Sequence, residues 1–160
     1  MLRTSPTSPV PAAARDTLLP LAYFPPDESY RVPAGVEPGA RGQALDVPTS
    51  TGQKRRMDVV GTLEFTLKGQ RLKLTAFVEE GSSGDRLFVP FTDQTSGRES
   101  YGGGRYLDLD KSTTGIYIVD FNTAYNPYCA YNSTYDCPVP PPENRLAIAV
   151  RAGERKPRAH

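Results

Sequence analysis

Three glycines in a row, Gly102, Gly103 and Gly104, stand immediately before Arg105 in the stretch SYGGGRYLDLD. Such a run lets backbone N–H groups turn toward one point and lets a ligand come close, so with Arg105 it could form an anion nest. It could equally be a glycine bulge that bends the chain, with Arg105 bonded to an internal carboxylate such as Asp93, Asp108, Asp120 or Glu143. The spacing is not that of a P-loop or a dinucleotide fingerprint. Asp93, Asp120 and Glu143 are the candidates for an acid or base, with Arg105 stabilising negative charge. Such a scheme needs one carboxylate with a raised pKa.

Cys129 and Cys137 offer sulfur chemistry. Four-ligand zinc is disfavoured, because the chain has two cysteines and a single histidine, His160, at its last position. A nucleophilic thiol would lack a placed base. A disulfide across so short a loop would restrain the unfolded chain by about 2.5 kcal/mol, yet cytoplasmic conditions keep thiols reduced. The leading expectation is two reduced thiols packed as small hydrophobes, with no metal and no cofactor. Seven of the nine tyrosines fall between Tyr101 and Tyr135. They could line a ligand pocket, or Tyr128, Tyr131 and Tyr135 could cover a barrel end with each hydroxyl bonded to backbone. No Lys or Arg lies between Lys111 and Arg145, so a basic groove for single-stranded nucleic acid is absent there. Asn132-Ser133-Thr134 fits a glycosylation acceptor, but a turn is its simplest role.

The elements that must position these groups read as strands. Of 160 residues, 14 are Gly and 16 are Pro, and the apolar share is 38%. That composition favours many short strands joined by tight turns in one domain. The segment VGTLEFTLKGQRLKLTAFV predicts a hairpin with a Gly69-Gln70 turn of type II′. Leu67 would face Leu72, Phe65 would face Leu74 and Leu63 would face Ala76, with Glu64, Thr66, Lys73 and Thr75 on the wet face. Further strands are expected at 30–37, 44–47, 56–60, 86–91, 105–109, 116–121 and 146–150, and a helix at 12–19. We expect an all-β fold: a single antiparallel barrel or sandwich whose end is closed by a long loop rich in Pro, Tyr and Cys. Pro138, Pro140, Pro141 and Pro142 stiffen that loop and deliver Glu143, Asn144 and Arg145 to a fixed place, either to meet a ligand or to stitch the loop to the sheet. Residues 1–21 read as a flexible Pro-rich tail, 22–155 as the β domain and 156–160 as a basic tail.

Nineteen basic residues against 18 acidic ones leave a formal charge of +1, too small to draw the protein onto nucleic acid or an anionic membrane. No apolar run is long enough to span a bilayer, and Pro6, Pro9 and Pro11 interrupt any signal core, so a cytoplasmic location is expected.

The stretches LFVPFTDQTSGRESYGGGRYLDL and DFNTAYNPYCAYNSTYDCPVPPPENRLAIAVRAGE, with LAYFPPDESYRV before them, resemble the bacterial and archaeal domain of unknown function 1684 family over roughly residues 20–155. Many members open with a charged amphipathic helix where this chain has its Pro-rich segment. The family carries no settled activity, so the resemblance bears on the fold. From the residues themselves we expect a barrel-mouth site for a small polar or anionic molecule. It would be formed by Tyr101, Gly102, Gly103, Gly104, Arg105, Asn122, Tyr125, Cys129 and Arg145, with Asp93, Asp120 and Glu143 at its border. The alternatives are a hydrolase-type enzyme in the same pocket and a structural or interaction protein without a ligand.

Overall fold

The computed structural model describes residues 8–14, 19–38, 43–79 and 84–157. Seven strands run in chain order: β1 (Arg31–Pro38), β2 (Ala44–Pro48), β3 (Lys54–Leu67), β4 (Gln70–Glu79), β5 (Arg86–Phe91), β6 (Arg105–Asp110) and β7 (Ile116–Asp120). They pair antiparallel in the order β6-β5-β4-β3-β1-β7, with β2 on the far half of β3. The sheet curls into a nearly closed barrel. Among the described residues no helix is long and apolar enough to cross a membrane.

The β3–β4 hairpin keeps its expected faces but not its turn. Leu67 pairs with Gln70, Phe65 with Leu72 and Leu63 with Leu74, a slip of two residues from the expected register. Side chains alternate with period two, so a slip of two leaves every apolar residue on the same face. The turn is Lys68-Gly69, with φ of 52° and 79°, the two positive angles of a type I′ turn. The Lys68 side chain is tethered from outside the hairpin. Its ammonium lies 4.5 Å from the centre of the Tyr30 ring and 3.7 Å from an Asp27 carboxylate oxygen.

Further along the same pair, the register passes from Val59↔Phe77 to Gly61↔Ala76, leaving Val60 as the extra residue of a bulge. The bulge exchanges the faces of β3. Leu63, Phe65 and Leu67 enter the main core, whereas Met57 and Val59 join Val47 and Phe77 in a second cluster under β2. Gly61 is required there, because a Cβ would collide with the Glu37 carbonyl oxygen of β1. In the main core Phe121 packs against Phe65 and Phe91 at 5.8 and 5.3 Å between ring centres.

The stretch expected as an eighth strand, 146–150, is not one. Leu146, Ile148 and Val150 do alternate into the core. Its backbone groups, however, are divided between backbone and side chains: Leu146 N–H donates to Thr92 O and Gln94 N–H to Ile148 O, whereas Gln94 Nε2 donates to Ala147 O, Val150 N–H donates to Asp93 Oδ2, and Arg105 donates to Val150 O. Alternation therefore marked a buried extended segment whose few backbone bonds to residues 92 and 94 are interrupted by side chains before they make a strand. Of the expected helix at 12–19, only Ala12–Ala14 forms a short 3-10 turn, and residues 15–18 lie outside the described set. Residues expected to be a free tail are docked: Val10 and Leu19 are buried against Ala130 and Tyr131, with Tyr101 beside them. At the other end Lys156 N–H donates to Glu99 O and Pro157 is buried, so these two residues of the basic tail are also packed.

Candidate functional site

The loop that follows β7 folds back over one side of the barrel through short 3-10 turns at Phe121–Thr123, Tyr128–Ala130 and Pro142–Asn144. Cys129 and Cys137 form a disulfide within it, which replaces the expected pair of reduced thiols. Between this loop and strands β3, β5 and β6 lies a cleft of about 640 Å³. Phe88 and Tyr106 come from the strands, and Tyr125, Tyr128 and Tyr135 come from the loop.

These rings meet at near right angles. Phe88 and Tyr106 are 4.6 Å apart at 77°, Tyr106 and Tyr125 are 5.8 Å apart at 89°, and Tyr128 and Tyr135 are 5.3 Å apart at 72°. Two phenols are pinned: Tyr106 OH donates to Pro138 O at 2.5 Å, and Tyr125 OH donates to Asp108 Oδ2 at 2.7 Å. Burial pushes both phenol pKa values well above the ordinary range, and Asp108 adds to the effect at Tyr125, so both remain neutral donors. At the rim Arg55 donates to the Asp136 carbonyl at 2.9 Å. The hydroxyls of Thr49 and Thr51 hold the Asp136 carboxyl below the usual carboxylate range.

Of the residues expected at the site, Tyr125 lines this cleft and Cys129 contributes through its bond to Cys137, which also lines it. Arg105 does not reach it. The guanidinium is 1% exposed, pairs with Asp93 at 3.3 Å, and donates to the carbonyls of Val150, Ala152 and Glu154. Phe91 and Phe24 lie 5.2 and 5.9 Å from it. Burial lowers its pKa and Asp93 opposes that shift. The internal-carboxylate alternative therefore holds for Arg105, and Asp93 is its partner.

The glycines are likewise a turn and not a nest. Gly104 N–H donates to Tyr101 O, and the space beside Gly104 is filled by Phe91 O and Pro140 Cγ, each 2.7 Å from where a Cβ would stand. Gly103 lies under the Tyr101 ring, and Gly102 faces Gly97. Tyr101 packs against the Val10 cluster.

Asp120 accepts from Asn122 N–H and its amide, capping the turn at Phe121–Thr123, while Asn122 clamps both backbone groups of Asp27. Asp120 borders a second groove of about 540 Å³ between β6 and β7. Glu143 and Arg145 are exposed beside the buried Asn144. Asn144 Oδ1 accepts from Thr75 N–H, and its amide donates to Thr75 O and Pro90 O. The stiff proline segment thus stitches β4 to β5, whose ladder is a single residue pair, Phe77↔Phe88. Asp93, Asp120 and Glu143 stand in three different surroundings, so the acid–base arrangement imagined around Arg105 does not form.

Sequence reasoning missed Arg55, Phe88, Asp108 and Asp136 as lining residues. Its usable signal was the tyrosine cluster: Tyr106, Tyr125, Tyr128 and Tyr135 all face the cleft.

A nearly closed antiparallel barrel with a looped-over side cleft defines a small all-β protein. Residues 17–155 match the family described as "Protein of unknown function (DUF1684)", and the chain belongs to that family. It is similar to an uncharacterized protein of Haloarcula marismortui solved by solution NMR. The two share 43% sequence identity with a TM-score of 0.77, over 92% of this chain and 82% of that one. No curated protein matches the chain.

Proposed function

We propose that the protein binds a small molecule carrying a ring-sized apolar body in the cleft between the disulfide-closed loop and the barrel. The observation that carries this reading is the convergence of Phe88 and four of the clustered tyrosines on one concavity of about 640 Å³. That size is ordinary for a drug-sized ligand, and an aromatic lining with a few polar groups is the usual composition of such a site. Rings used only to fill a barrel end would pack against each other without leaving a cavity. The loop wall is pinned by the Cys129–Cys137 bond and by Tyr106 OH on Pro138, so the cleft is pre-formed and little ordering opposes binding.

Uncharged ring probes test the reading. Phenol and indole, titrated into isotope-labelled protein, should shift the ring resonances of Tyr106, Tyr125, Tyr128 and Tyr135 together with saturation. Shifts scattered over the surface, or none at those four rings up to the solubility limit, would end the proposal.

A further inference from the structure

The charges around the cleft say more than its size. Two guanidiniums, Arg55 and Arg86, face four carboxylates, Glu79, Asp85, Asp108 and Asp136, so the wall carries two more negative groups than positive ones. Both arginines also have acidic partners. Arg55 lies 3.9 Å from Asp136 Oδ2, and Arg86 lies 3.6 Å from Asp110. An anionic ligand would have to compete with those partners and approach Asp108 and Glu79 as well.

A cation meets the opposite situation. Aromatic rings line the cleft, with pairs of them meeting at 72–89°, and a ring face met by a ligand offers the negative side of its quadrupole. Asp108 adds a full charge there, and Tyr125 OH orients it by donating to Oδ2, leaving Oδ1 for a further contact. Among the described residues no group of three or more His, Cys, Asp or Glu could hold a metal ion. The cation that suits the site is therefore a soft, weakly hydrated organic one.

Resting on the cleft assigned above, we propose that its ligand is an organic ammonium, with the alkylated nitrogen held against the faces of Tyr106, Tyr125 and Tyr128 and charge-paired with Asp108. Cation–π contacts of this kind strengthen when the ammonium is desolvated. Asp108 acts as the counter-ion and the rings replace the hydration shell.

Three probes of one shape and different charge test this: choline, its uncharged carbon isostere 3,3-dimethylbutan-1-ol, and the anion 3,3-dimethylbutanoate. Titrations followed at the four tyrosine rings should give choline at least ten times the affinity of the alcohol, with the carboxylate weakest. Asp108 is exposed, so Asp108→Asn should fold normally and reduce the choline preference several-fold while leaving the alcohol unaffected. Tyr128→Leu, also at an exposed position, should weaken choline more than the alcohol. Equal binding of choline and alcohol, or tighter binding of the carboxylate, would overturn the ammonium proposal while leaving the cleft reading in place. If phenol and indole also fail to bind, the cleft reading falls with it.

Discussion

Arg105 shows how a residue type suited to ligand chemistry is used for folding. Its two terminal nitrogens donate four bonds, one to Asp93 and three to the carbonyls of Val150, Ala152 and Glu154 in a C-terminal segment that is not a strand. Asp93 is correspondingly busy, accepting from Thr95 N–H, Thr95 Oγ1 and Val150 N–H. Removing the guanidinium would leave the buried Asp93 without its counter-charge and take this donor from three carbonyls. We expect Arg105→Ala to cost about 3–5 kcal/mol by chemical denaturation, and Arg105→Lys to recover little, because one ammonium cannot span four acceptors. A loss below about 1 kcal/mol would contradict the buried geometry. Glu154, 3% exposed, supplies a pH dependence at the same scale. Burial raises its pKa from 4.5 to about 7, although Asn126 donates to both carboxyl oxygens. The folded state therefore keeps a proton that the unfolded state loses, so this group's stabilising contribution is full below pH 4.5 and falls as pH rises to about 7. The fall is of order 3 kcal/mol at most. Glu154→Gln should flatten that slope, read as the difference between the two proteins' stabilities across the window; parallel curves would refute the assignment.

At the scale of elements, the Cys129–Cys137 bond closes the loop that carries Tyr135 and Asp136. Breaking it with a double Ser substitution should cost about 2.5 kcal/mol through the freed unfolded chain. The bond also bears on compartment, because cytoplasmic thiols are normally kept reduced. Protein alkylated at once on cell lysis should take up no reagent until a reductant is added. Labelling of both cysteines without reductant would restore the reduced thiol pair expected for a cytoplasmic protein. The hairpin marks how far sequence reasoning reaches. Its faces were legible in the alternation of Leu63, Phe65 and Leu67, whereas its turn was not, because Lys68 takes a positive φ that local propensity disfavours, and its contacts with Tyr30 and Asp27 are distant in sequence. The segment after Asn144 was legible as buried but not as falling short of a strand, since side chains from Asp93, Gln94 and Arg105 occupy several of its backbone groups. The cleft was legible as a clustering of tyrosines. Arg55, Phe88 and Asp108 reach it through sheet curvature and a bulge, which one-dimensional pattern does not encode.

On the scale of the whole molecule, the barrel is incomplete without chain that composition marks as loop. The strands enclose the main core, but a separate cluster forms where Val10 and Leu19 pack against Ala130 and Tyr131. Ala130 belongs to the same 3-10 turn as Tyr128, so the N-terminal segment supports the cleft-bearing loop from behind. Val10 is 1% exposed and lies ahead of the family match, which begins at residue 17. Burying a valine contributes about 1.5–3 kcal/mol. In a domain of this size each 1 kcal/mol shifts Tm by about 2–4 °C. Deleting residues 1–14 should therefore lower Tm by about 3–12 °C and speed hydrogen exchange at Ala130 and Tyr131, while the β3–β4 amides stay protected. Val10→Ala should reproduce part of the Tm loss. The combination separates a docked strut from a passive tail: a tail would leave both measurements unchanged, and a general loss of folding would expose the hairpin amides too. If the loop amides alone respond, the N-terminal segment is a wall of the cleft at one remove, and probe binding should weaken in the truncated protein without any lining residue having been changed.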